Sequence, residues 1–164
     1  MAISREKKSA IVEKLDGILA EASSLAFVRF HKLRVADTAT VRKELKKEGV
    51  GYYVAKKTLI RRALTQHGYT GEAPEMPGEI ALLWSRGDAT APARLIYAAG
   101  RKYKEALSLV GGVFEGAFAD AAKMLAIATI PPLPQLRGMF VNVINSPIQG
   151  LVIALDQIAQ KKGT

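Results

Sequence analysis

Two short runs of cationic side chains are the residues best suited to chemistry in this sequence. The first is Arg29-Phe30-His31-Lys32-Leu33-Arg34, and the second is Ala55-Lys56-Lys57-Thr58-Leu59-Ile60-Arg61-Arg62. Lysine and arginine hold phosphates by charge and need no particular base sequence. Lys57 and Arg61, four residues apart, share one face of a helix. Solvated surface charge is the alternative reading of both runs. Their setting favours phosphate contact, because each follows a strand pattern and opens a helical one. If the two strands lie in one parallel sheet, both clusters leave it at the same edge. A helix start adds free N–H groups and positive potential there. Arg42, Lys43, Lys46 and Lys47 differ, since Glu44 and Glu48 interleave with them as on a solvated helix face.

Catalytic patterns are weaker. Gly111-Gly112-Val113-Phe114-Glu115-Gly116 lacks the spacing of a dinucleotide fingerprint and the Gly-Lys-Ser/Thr of a phosphate loop, so it reads as a bulge or a turn at a strand end. His31 and His67 have no motif around them, and no pair of carboxylates points to a shared substrate. The chain has no cysteine, which excludes thiolate metal sites, iron–sulfur clusters, disulfides and a thiol nucleophile. The expectation is a protein that is not an enzyme and carries no metal or cofactor.

The charge balance agrees with the clusters. The chain has 164 residues, 24 Lys+Arg against 15 Asp+Glu, and a net charge of +9. Residues 1–68 carry 15 basic and 7 acidic side chains, a net +8, whereas residues 69–130 carry −1 and residues 131–164 carry +2. A one-sided positive field favours a polyanion, either nucleic acid or an anionic membrane surface. The N-terminus turns charged at once, and the most apolar stretch, 138–155, is interrupted by Asn142, Asn145, Ser146, Pro147 and Gln149. A soluble cytoplasmic protein without a membrane partner is therefore expected.

Strands alternating with helices must position the clusters. Ser4 is a plausible N-cap for a helix to about Ala22, with Ile11, Leu15, Ile18 and Leu19 on one stripe. Ser24–Phe30 suits a strand buried on both faces. A helix over Val35–Glu48 stops at Gly49, a strand follows at Val50–Ala55, and a helix over Lys57–His67 stops at Gly68. After a breaker-rich loop, Tyr69–Gly78, come a strand at Glu79–Trp84, a helix at Asp88–Tyr103, a strand at Ala106–Phe114 and a short helix near Ala119–Ala128. The order predicts an α/β fold, a layered α/β sandwich domain over residues 1–130. A proline-rich break at 131–134 then opens a C-terminal helical extension, 131–164. In it, Ser146-Pro147 reads as N-cap and N1 of a terminal helix. Ile148, Leu151, Val152, Leu155 and Ile158 cover a wide apolar arc, which either packs on the protein's own domain or receives a partner helix.

In its residues as well as its layout, the chain resembles the bacterial large-subunit ribosomal protein L-ten family, the stalk-base proteins. The family's N-terminal Lys-Lys and Ile-Val are similar to Lys7-Lys8-Ser9-Ala10-Ile11-Val12, and its Tyr-Arg-Gly-Leu turn to Phe30-His31-Lys32-Leu33. Its leucine-arginine helix resembles Val41–Leu45, its Val-Lys-Asn-Thr-Leu run Ala55–Leu59, its Gly-Gly strand Val110–Gly116, and its Ser-Pro break Ser146-Pro147. The family's turn glycine is Lys32 here and its asparagine is Lys57, and both changes add positive charge. The absence of a large inserted domain resembles the bacterial branch.

The resemblance implies a ribosome-associated structural protein. Its 1–130 domain would bind large-subunit rRNA at the stalk base, next to a neighbouring stalk-base protein. Lys7, Lys8, His31, Lys32, Lys56, Lys57, Thr58 and Arg61 are the expected rRNA phosphate contacts. Leu151, Val152, Leu155 and Ile158 would be covered by acidic stalk-protein dimers that recruit translational GTPases. The 18 residues from Pro147 onward favour two such dimers over three. A free-standing RNA-binding regulator is the competing class.

Overall fold

The computed structural model describes residues 5–103 and 106–162; the expected cap at Ser4 lies outside them. The chain divides into two compact units, the first ending at Ile130 and the second beginning at Pro131. The first unit runs α1 (Arg5–Glu21), β1 (Ser24–Phe30), α2 (Val35–Lys47), β2 (Val50–Val54), α3 (Lys57–His67), β3 (Ile80–Ser85), α4 (Ala91–Lys102), β4 (Leu107–Phe114), β5 (Ala117–Asp120) and α5 (Ala121–Ala128).

These strands form one sheet in the order β2-β3-β1-β4-β5, and every neighbouring pair is antiparallel. β1 sits at the centre and is apolar on both faces, as its uninterrupted Leu25-Ala26-Phe27-Val28 run predicts. Leu25 and Phe27 join Leu82 and Val113 against Leu15 and Leu19 of α1 and Ile60 and Leu64 of α3. Ala26 and Val28 turn the other way, with Leu83 and Leu107, against Val41 of α2, Ile96 of α4 and Met124 of α5. The result is a sandwich of helices on both faces of the sheet, each face with its own core.

Two local features depart from expectation, and a third, the bulge beside the glycines of β4, agrees with it. The sheet contains no adjacent parallel pair; β1 and β2 are separated by β3 and run in the same direction because each is antiparallel to it. The segment assigned to the start of a short helix instead forms β5, joined to β4 by a two-residue turn. Glu115 (φ 53°) and Gly116 (φ 78°) are both left-handed there, as a tight hairpin of primed type requires. In β4, Val110 is the extra residue of a bulge opposite the Phe27–Val28 bond, just before Gly111 and Gly112.

The second unit is a single helix, α6 (Leu133–Lys162), 30 residues long and about 45 Å at 1.5 Å per residue. Pro147 lies inside it and does not begin it. The helical phase explains why. Gln135, Asn142, Gln149 and Asp156 recur every seventh residue, so one polar line continues through the proline without a break. Most of the apolar side chains fill the remaining arc. Phe140, Ile144, Ile148, Leu151 and Leu155 are 57–66% exposed. By length and composition alone α6 could cross a membrane, with a mean hydropathy of 1.5 in its most apolar window, more than the interrupted sequence led us to expect. Its amide and carboxylate line is polar throughout, and burying it in hydrocarbon would cost several kcal/mol per unsatisfied group, on the order of the usual transfer penalties.

Candidate nucleic-acid interface

The codirectional run of β1 and β2 brings the two cationic clusters together. Both strands finish at one end of the sheet, and the first residues of β3 lie between them: Arg29 pairs with Ile80, and Val54 with Ala81. The expected shared edge is therefore present, although its cause is two antiparallel steps across β3.

The first cluster leaves β1 as a short connection to α2. His31 is held by its N–H donating to the Ala106 carbonyl at 2.9 Å. Lys32 has φ 50°, in the left-handed region that favours glycine. Arg34 is the N-cap of α2. His31, Lys32 and Arg34 are all exposed and line a hollow of 480 Å³ with Leu33, Asp37, Tyr103 and Ala106. Arg29 is tied down, its Nε donating to Ser108 Oγ at 3.1 Å.

The second cluster is the start of α3. Lys56 is its N-cap, in extended conformation (φ −63°, ψ 128°), with no side-chain capping bond, and no acidic residue occupies the first turn. Ammonium groups cannot accept a capping hydrogen bond, and their charge opposes the helix dipole. Two successive helices on this end thus start from a cation, Arg34 and Lys56, where Ser, Asp or Asn would stabilise them more. Lys56, Lys57, Thr58 and Arg61 are exposed, whereas Leu59 is half-buried and Ile60 fully buried, anchoring the helix on the sheet.

The remaining expected contacts, Lys7 and Lys8, are exposed in the first turns of α1. The C-terminal end of α1 is fixed at the opposite end of the sheet, where Arg86, just past β3, pairs with Glu21 and the Ser23 N–H donates to the Ser85 carbonyl. Its N-terminal half is therefore directed toward the basic end. Lys14, which the sequence reading did not single out, sits with Nζ 4.9 Å from the centre of the Tyr53 ring. Arg42, read as merely solvated, lies 4.8 Å over Tyr52. Burial, the largest influence, raises the Tyr52 phenol above 10.0 against the opposing charge and hydrogen bond of Arg42. The Tyr52-Tyr53 pair among cations was the available sequence signal for both contacts.

Leu151, Val152, Leu155 and Ile158 are 52–63% exposed on α6. Ile153, which falls on the polar side of the helix, is exposed as well.

Known proteins are similar to this chain over most of its length. The family model described as Ribosomal protein L10 matches residues 3–99, which contain both clusters. The "Large ribosomal subunit protein uL10" of Shouchella clausii is 32% identical over 157 residues, covering 96% of this chain and 94% of that protein. The protein of the same name from Bacillus licheniformis is 31% identical over 162 residues, covering 99% and 97%. With a family match over more than half its length and relatives aligned almost end to end, this chain belongs to the ribosomal protein L10 family, whose members are structural proteins and not enzymes.

Proposed function

We propose that this protein is a structural component of the large subunit of the cytoplasmic ribosome. Its first unit grips rRNA at the stalk base, beside a neighbouring stalk-base protein, and its second unit anchors dimers of the acidic stalk protein that recruit translational GTPases. The observation that carries the rRNA half is the placement of Lys56, Lys57 and Arg34 at two helix starts on one end of the sheet, with His31, Lys32, Thr58 and Arg61 beside them. Lys7 and Lys8 extend the same positive surface from α1. The near-neutral residues 69–130 complete the scaffold.

The partner half rests on the breadth of exposed apolar surface along α6. Leu151, Val152, Leu155 and Ile158 are its expected centre, and a helical partner that covers them would gain about 25 cal/mol for each Å² of apolar area buried. Because α6 begins at Leu133, the 18 residues from Pro147 onward no longer set the usable length, and the preference for two dimers over three lapses with them.

One experiment with two variants tests both halves. Binding of the full chain, K57A and a chain lacking residues 147–164 is measured against a stalk-base rRNA transcript over a range of salt, and against the purified acidic dimers. K57A lowers the salt-dependence slope by roughly one and leaves dimer capture intact. The truncation abolishes dimer capture and leaves the rRNA slope intact. An unchanged slope for K57A would remove Lys57 from the interface. Sedimentation of the free chain away from large subunits at high salt would favour the regulator reading.

A further inference from the structure

Between the two cationic clusters, where β3 begins, the end of the sheet opens into a cavity of 570 Å³. Its apolar walls are Phe30 from the end of β1, Val54 and Ala55 from the end of β2, and Ile80 from the start of β3. Lys57 stands on its α3 side. Among the described residues Glu79 is the sole acidic residue lining it; Glu79 is exposed, and its backbone carbonyl accepts from the Phe30 N–H at 3.2 Å.

We infer that this cavity receives one unpaired nucleobase of the bound RNA, with guanine preferred. The inference rests on the rRNA reading above and deepens it. A surface that only neutralised phosphates would need neither an apolar recess nor an acidic residue on its lining. The carboxylate repels a phosphate and attracts hydrogen-bond donors. Among the bases, guanine offers two adjacent donors on one edge, its N1–H and its N2 amino group, which match the two oxygens of Glu79. Half-buried Phe30 supplies an aromatic surface for the base, and the volume falls in the ~300–1,000 Å³ range of small-ligand sites. The cations on either side hold the phosphates that flank the inserted nucleotide. Charge complementarity is thus graded across the site: positive where the backbone passes and negative where the base edge ends.

The test uses the full chain and a transcript of the stalk-base segment of large-subunit rRNA, each unpaired nucleotide of which is made abasic in turn. For the natural protein, one abasic position weakens binding on the order of tenfold, the effect of losing one stacked base. F30L keeps an apolar side chain against the core and removes the aromatic ring; in it the same abasic position costs about twofold or less, with an unchanged salt slope. E79Q, a substitution on the surface, reduces the preference for guanine at that position over adenine, cytosine and uracil. If no single abasic position costs the natural protein more than about twofold while K57A still lowers the slope, the cavity takes no base and the rRNA reading stands. If the transcript is not bound at all, the rRNA reading fails and the cavity assignment falls with it.

Discussion

Gly51 lies directly against the indole of Trp84, its partner across the β2–β3 ladder, so closely that a Cβ on Gly51 would overlap the ring atoms. The absence of a side chain lets Trp84 cover β2, an edge strand of the sheet, and β2 in turn carries Lys56 and Lys57 to the basic end. Gly51→Ala forces the indole or the strand to move, and overpacking of this kind costs about 1–3 kcal/mol. Chemical denaturation should show that loss, together with weaker RNA binding that recovers under stabilising osmolyte.

Lys56 gives a second outcome, with opposite signs for fold and function. Lys56→Asp supplies a capping acceptor and a favourable charge at the start of α3, raising stability by about 0.5–2 kcal/mol. The same change removes one cation and adds an anion at the proposed interface. Denaturation midpoints should rise while affinity for the rRNA transcript falls at least tenfold, the order expected when a phosphate contact is replaced by repulsion. A variant that is stabilised and binds as before would show that Lys56 lies outside the footprint.

Lys32 behaves similarly for a different reason. At φ 50° it bears the steric penalty of the left-handed region, which glycine escapes. Part of the relief in Lys32→Gly is cancelled by the greater freedom of glycine in the unfolded chain, leaving a net gain of about 0.5–1 kcal/mol. Loss of the ammonium should weaken RNA binding and flatten its salt dependence, measured side by side with the thermal shift.

Asp88 provides a pH-dependent stability term remote from the interface. Burial is the largest influence and pushes its carboxyl upward. The Thr90 side-chain and backbone bonds, the Arg94 hydrogen bond and the Arg94 charge together outweigh it and hold the group below 3.8. The Thr90 N–H donates to Asp88 Oδ1 at 2.9 Å, and Arg94 Nη1 lies 3.1 Å from Oδ2. A carboxyl depressed in the folded state stabilises above its unfolded value and loses that contribution as pH falls through the folded one. Asp88→Asn should therefore cost a few tenths of a kcal/mol at neutral pH, roughly what a solvent-screened pair contributes, and converge with the natural protein at pH values well below 3.8.

The sequence was informative wherever burial leaves a one-dimensional trace. β1 is readable because a central strand with helices on both faces must be apolar at consecutive positions. α3 is readable because Ile60, Ala63 and Leu64 repeat at helical spacing and Gly68 ends it in the left-handed conformation (φ 64°). β5 was hidden because its turn is Glu115-Gly116, without the asparagine or aspartate that marks a primed turn, and because four residues are too few for alternation to register. Ser146-Pro147 misled for a local reason: the pair has the form of a helix start, while the sevenfold polar line that carries the helix through it is visible only over some twenty residues. The two cationic runs were legible as clusters. The recess between them was not, since its walls meet only after β3 has inserted Ile80 between strands that are neighbours in sequence.

The direction of β1 and β2 also sorts charge along the strand axis. At the end of the sheet opposite Lys32 and Lys57, Glu21 is paired with Arg86, Asp88 is paired with Arg94, and Lys46 and Lys47 precede Glu48, so charge there is largely compensated. Positive charge is thus least compensated at one end of the first unit, and a polyanion is attracted to that end first. Orientation during the approach shortens the search for a productive encounter, so added salt slows arrival more than it hastens departure.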